Sequence, residues 1–190
     1  MGLDIRVVAD IPSDLFYTDE YFDKHLKEFS LSRTFCNLYF TYQNYLDNSE
    51  FIQISKIIGV DFTPLLKMAS YPSPEYIEAM LEIEAKTEEE KTQLLKNFER
   101  EKLESKQSIA DIKVLLRQLH QKLERIENLQ DLIKYNEYHK ERFYRYFEDF
   151  VIDVGDGYIG NNFGQDVRNF IKILEYSEKQ GAQNVYFDFG

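Results

Sequence analysis

The reading turns on the stretch IADIKVLLRQLHQKLERI, residues 109–126. Within it Ile109, Ile112, Leu116, Leu119, Leu123 and Ile126 follow one another at steps of 3, 4, 3, 4 and 3. That alternation places six aliphatic side chains on one face of a helix, at the heptad spacing of helices that pack on one another. Leaving such a ladder in water is unfavourable, so the sequence calls for a neighbouring helix. Leu95 and Phe98 fit the same register, whereas Lys102 and Ser105 interrupt it.

Outward from the ladder, no glycine or proline occurs from Glu75 to Phe150. Two arrangements fit this span: one extended coiled-coil arm, or a hairpin that turns near Ser105 to Ser108, with Ser108 and Asp111 as a cap-like pair for the second helix. Charge favours the hairpin. Ser73 to Glu90 holds seven acids and one base, a net of -6, while Lys91 to Arg145 holds nine acids and thirteen bases, a net of +4. A turn near Lys106 would set the acidic stretch beside Lys122, Arg125 and Lys134. Exposed pairs of this kind add only about 0.2–1 kcal/mol each, so they would fix register and the ladder would supply stability. Thr87, followed three residues later by Glu90, has capping-box spacing and marks another break. Asn128 marks a kink before an aromatic helix bearing Tyr135, Tyr138, Phe143, Tyr146, Phe147 and Phe150.

The N-terminal part reads as a short strand, Leu3 to Ala9, then a turn at Ile11 to Asp14. Asp19 is placed to cap a short helix through Phe29, and Ser30 or Ser32 a stronger one to Leu46. Phe35, Leu38, Tyr39, Tyr42 and Tyr45 share a face of that helix. Asp47 to Ser49 breaks it. Ser49 opens a helix from Glu50 to Ile58 that Gly59 stops, and Thr63-Pro64 and Ser73-Pro74 are further helix starts. The tail differs in kind: a strand from Phe150 to Val154, a glycine loop from Gly155 to Gly160, an amphipathic helix from Phe163 to Lys179 ended by Gly181, and a strand from Asn184 to Phe189. Strand, helix and strand imply a right-handed parallel βαβ crossover that the first strand is free to join.

The expected fold is therefore α+β and mainly α. Residues 1–72 form a helical part with the first strand, residues 73–150 a long helical hairpin or coiled-coil arm, and residues 151–190 a βαβ tail that completes the same domain as 1–72.

Composition narrows the function. The net charge of -11 argues against direct nucleic-acid binding, which draws its affinity from neutralised phosphates. No stretch approaches the roughly 18 apolar residues of a membrane span, and residues 1–6 do not read as a signal peptide. One cysteine, Cys36, excludes an internal disulfide and fits a reducing, cytoplasmic setting.

Gly155, Gly157 and Gly160 match GxGxxG between a strand and a helix, the pattern that lets a backbone approach a pyrophosphate. The helix starts late, Asp188 lies too far on for a ribose-binding acid, and Asn161 and Asn162 belong to turn chemistry, so a glycine-rich connecting loop is the commoner meaning. Cys36 sits in an aromatic helix, as buried structural thiols do. His25, His120 and His139 are scattered without metal-ligand spacing. Glu88 to Glu90 suit a helix N-terminus, or could imitate phosphates. Of the 14 Tyr and 15 Phe, those at helical spacing are mostly core, but Tyr17, Tyr21, Tyr42, Tyr45, Tyr144 and Tyr146 are more tyrosines than a small core readily satisfies, so some are expected on a binding face.

No nucleophile–base pair, metal cluster or carboxylate dyad stands out, an enzyme is the least supported class, and no cofactor is expected. The leading expectation is an acidic interaction module, an adaptor or inhibitor, that docks on a protein partner or a second copy through the arm, at Ile109, Ile112, Leu116, Leu119, Leu123 and Ile126, or through a tyrosine-rich face. The alternatives are a small-ligand module holding a phosphate or nucleotide at Gly155 to Gly160, and an acidic nucleic-acid mimic that inhibits a nucleic-acid-binding protein.

Overall fold

A computed structural model describes residues 4–11, 24–44, 49–135, 137 and 140–189. The expected turn after Ile11, the Asp19 cap, and the break at Asp47 and Asn48 lie outside the described residues. So do Tyr138 and His139.

The chain opens with strand β1 (Ile5–Ala9) and reaches a 3-10 helix (Leu26–Phe29). Helix α1 (Arg33–Asn44) follows, with the Ser32 hydroxyl accepting the Phe35 N–H, so Ser32 rather than Ser30 caps it. Helix α2 (Glu50–Ile58) is capped by Ser49 and closed by Gly59 in the left-handed conformation, as its sequence demands. Helix α3 (Thr63–Met68) starts at Thr63-Pro64 as expected, with Phe62 rather than Thr63 at the N-cap position, and the Asp61 carboxylate accepts the Thr63 N–H and hydroxyl.

Helices α4 (Pro74–Glu84) and α5 (Glu88–Ser105) form an antiparallel hairpin, and the Tyr76 and Phe98 rings meet edge to face between them. The turn is the one Thr87 and Glu90 announce. Thr87 Oγ1 accepts the Glu90 N–H at 3.2 Å, and Glu90 returns a carboxylate to the N–H groups of Lys86 and Thr87 at 2.8 and 3.0 Å. This reciprocal bonding satisfies three donors at the helix start. Strand β2 (Gln107–Ser108), a turn by expectation, leads into α6 (Ile109–Leu123), where Ser108 accepts the Asp111 N–H as foreseen. Asn128, at φ 56°, kinks the chain into the short α7 (Leu129–Leu132), and α8 (Lys140–Tyr146) carries the aromatic run. The last elements are α9 (Phe163–Lys179) and strand β3 (Asn184–Phe189), with Gly181 at positive φ between them.

The sheet has the order β1-β3-β2 and is antiparallel throughout, with Val7 opposite Phe187 and Gln107 opposite Val185. The α+β, mainly helical reading stands, but finer expectations do not. At Ser105 to Ser108 the chain enters the sheet as β2 instead of folding α6 back along α5, so neither the expected hairpin there nor one continuous coiled-coil arm forms among the described residues. Phe150 to Val154 is not a strand, and among the described residues no parallel βαβ crossover forms. Side chains take its amides before a neighbouring strand can: Asp149 Oδ1 accepts the N–H of Val151 and Ile152, and Gln165 Oε1 accepts that of Val154. Local acceptors of this kind compete directly with a ladder. Val151, Ile152 and Val154 remain exposed.

One aromatic and aliphatic core joins α1, α2, α6, α8, α9 and the sheet. Phe35 contacts the rings of Tyr39, Phe163, Phe170 and Phe187, so α1, α9 and β3 meet at one ring. Val167, Phe170 and Leu174 of α9 point into this core, and Ile171 packs at its edge.

Candidate interaction surface

The ladder finds its neighbour inside the same chain. Ile109, Ile112, Leu116, Leu119 and Leu123 are buried in the core, and Ile126 packs against it. The facing helix is α9. Lys113 pairs with Glu178 at 2.6 Å and Arg117 with Glu175 at 2.8 Å, tying the two helices along their exposed flank. The expectation that these six residues offer a seam to a partner is therefore corrected. Their apolar face is already covered, because α9 presents a matching apolar stripe. The acidic stretch does not lie against the cations expected for it either. Lys122 donates to the carbonyls of Ile58 and Gly59, at 2.8 and 3.0 Å, where α2 leaves its last acceptors open.

The part of the arm that stays free is the hairpin. No residue of α4 is buried, and in α5 only Phe98 and Ser105 are. Ile83 and Leu103 are each 71% exposed and Leu95 40%. Leu95 and Leu103 flank a shallow groove of about 510 Å³ on α5, with Lys96, Glu99 and Arg100 along it. Exposed aliphatics mark a contact site where they join into a patch, as Leu95 and Leu103 do along this groove. Glu88 and Glu89 stand in the first turn of α5, where the helix dipole favours them, so the acidic tip is locally stable without a partner.

The glycine loop is assembled differently from a phosphate cradle. Gly157 and Gly160 have φ of 92° and 82°, which only glycine adopts easily. A Cβ on Gly157 would lie 2.7 Å from the Lys27 carbonyl oxygen, and one on Gly155 would run into Asn161. These glycines let the loop press against the 3-10 helix. Its first three amides are already occupied: Gly155 N–H goes to Gln165 Oε1, Asp156 N–H to the Ile159 carbonyl and Gly157 N–H to Asn161 Oδ1. Asn162 caps α9 by accepting the Gln165 N–H. Around this loop stand Asp153, bonded to Arg168, and Asp156, bonded to Lys27. Few donors and several carboxylates make a poor host for an anion.

Behind the loop lies Asp166, which sequence reasoning missed. Its carboxylate is wholly buried and accepts four bonds: from Ser32 N–H at 2.9 Å, Ser32 Oγ at 2.6 Å, Tyr146 OH at 2.6 Å and Asn161 Nδ2 at 2.8 Å. It fastens the starts of α1 and α9, the end of α8 and the loop to one point. Burial pushes its carboxyl up to about 6, against the pull of those four donors. The signal was available: Asp166 falls on the apolar stripe of Phe163, Phe170 and Leu174, where a carboxylate is tolerated only when fully bonded.

The remaining candidates are structural by placement. Cys36 is buried, and desolvation raises its thiol to about 11. The desolvated His120 ring is shifted down and lies 3.0 Å from Arg168. No group of three His, Cys, Asp or Glu side chains among the described residues is placed to hold a metal ion. Of the tyrosines considered for a binding face, Tyr146 is buried on Asp166, and Tyr144 bonds Asp131 at 2.8 Å. Tyr17, Tyr21 and Tyr45, with the Tyr42 side chain, lie outside the described residues. No helix among the described residues is long and apolar enough to cross a membrane. In comparisons with known proteins, no family model, curated protein or solved structure matches the chain.

Proposed function

We propose that the protein is an interaction module, an adaptor or inhibitor, that docks through the α4–α5 hairpin onto a protein surface carrying basic residues around an apolar patch. The observation that carries this reading is the exposure of Ile83, Leu95 and Leu103 on a hairpin that contributes little to the core. The net charge of -6 from Ser73 to Glu90 supports a basic partner. Charge would steer the encounter and the three aliphatic side chains would supply the anchor.

The test compares wild type with the triple variant Ile83→Glu, Leu95→Glu, Leu103→Glu in quantitative affinity capture. A protein held by wild type, lost by the variant, and bound more weakly by wild type as salt rises supports the proposal. The variant must melt with wild type, as changes at exposed sites should. Identical capture by both proteins refutes it.

A further inference from the structure

A groove of about 540 Å³ runs along the outer side of β1, and every residue from Asp4 to Ala9 lines it. Such a lining arises when a strand turns its edge to a groove, because successive side chains of a strand point to opposite faces. The sheet order leaves β1 with β3 on one side only. Asp10 donates its N–H to the Asn184 carbonyl at 3.0 Å, which fixes the parity of the ladder. Arg6 and Val8 therefore turn their backbone groups to β3, and Ile5, Val7 and Ala9 turn theirs to the groove. Among the described residues no hydrogen-bond partner meets those outward groups. Leu26, Phe29 and Leu31 form the opposite wall, and Asp188 stands on the rim with Arg6 and with Asp4, whose carboxylate accepts the Tyr158 hydroxyl.

A strand edge that the described residues leave unpaired, beside an apolar wall, has the geometry of strand addition: main-chain bonds hold an extended peptide, and alternate side chains meet the wall. We propose that this groove takes an extended segment of another protein as a fourth strand beside β1. Its chemistry follows from the walls. Aliphatic residues at every second position would face the exposed Leu26, and an intervening lysine or arginine would match Asp188 on the rim and the chain's net charge of -11. This surface is separate from the hairpin and stands without it.

The probe is a fluorescent peptide of about eight residues alternating valine and lysine. Its control is the same peptide N-methylated at alternate positions, which keeps charge and side chains but removes the main-chain donors. Saturable anisotropy with the first peptide, a loss of at least about tenfold with the second, and slowed hydrogen exchange at the Ile5, Val7 and Ala9 amides are expected. Val7→Pro, which removes an outward N–H and leaves the β3 ladder intact, should weaken binding to the same degree. Where that variant does not fold, the methylated peptide carries the test alone. Equal binding of both peptides, or none, overturns the proposal. So does binding that appears only once residues 12–23 are exchanged for a Gly/Ser stretch of equal length, which would mean that the chain excludes the peptide itself.

Discussion

Replacing Asp166 separates two contributions that its site combines. In Asp166→Ala, the Ser32 N–H, the Asn161 amide, and the Ser32 and Tyr146 hydroxyls lose their acceptor in a site closed to water. The Ser32 and Tyr146 hydroxyls, which both donate to the same carboxylate oxygen, can turn to one another and form one bond, so three donors stay unpaired. At about 1–3 kcal/mol for each unmade buried bond, and with some relaxation, the loss is about 3–5 kcal/mol. Asp166→Asn behaves otherwise. Its carbonyl oxygen keeps the two N–H donors that can only donate, while its amide turns to the two hydroxyls, which also accept. The loss at neutral pH is about 1–2 kcal/mol. The two variants also differ from wild type in their pH response. A carboxyl at about 6 in the folded chain, above its ordinary 3.8, holds its proton more tightly folded than unfolded, so its contribution to stability grows as pH falls from neutral towards 4. From about pH 7 to about pH 5, wild type should gain about 1 kcal/mol over Asp166→Asn. Urea unfolding of the three proteins at both pH values measures this. Equal losses for Ala and Asn, or a wild-type-to-Asn difference that does not move with pH, would refute the reasoning.

Other substitutions test single joints of the structure. Leu116→Ala empties a wholly buried position of the ladder and should cost about 2–5 kcal/mol in chemical denaturation; a near-neutral result would mean that the ladder does not face α9. Gly157→Ala forces a side chain into positive φ and against the Lys27 carbonyl, lowering stability by about 1–3 kcal/mol, with the melting temperature unmoved by ATP or inorganic phosphate in variant and wild type alike. Thr87→Ala removes the capping box at about 0.5–2 kcal/mol. That effect should appear as faster amide exchange within α4 and α5, with α6 unaffected.

Much of the fold was legible because helix starts are local chemistry. Ser49, Ser73-Pro74, Thr87 with Glu90, and Ser108 with Asp111 each mark a start the structure contains. Gly59 and Gly181 mark two ends. What covers the ladder was not legible. A spacing of 3 and 4 identifies a face but not its neighbour, and two helices with apolar stripes, α5 and α9, were available to α6. Phe150 to Val154 misled for a related reason: apolar content favours a strand, but Asp149 and Gln165 supply acceptors that content alone does not reveal. β2 holds two residues, too short for any periodicity. At the candidate site, the glycines of 155–160 were recognised and their purpose was open, because close packing and anion binding require the same residue. Asp166 was legible as a bonded acid from its place on the apolar stripe, but the donors that hold it, on Ser32, Tyr146 and Asn161, were not, because no spacing links them to it.

The most direct test of the account is amide hydrogen exchange on the chain alone and with a partner captured through it. Alone, α6 should exchange only through global unfolding and the α4–α5 hairpin far faster, since one lies in the core and the other outside it. With the partner, new protection should fall on Pro74 to Ser105. Protection that arises instead along 109–126, or an α6 that exchanges freely in the isolated chain, would contradict it.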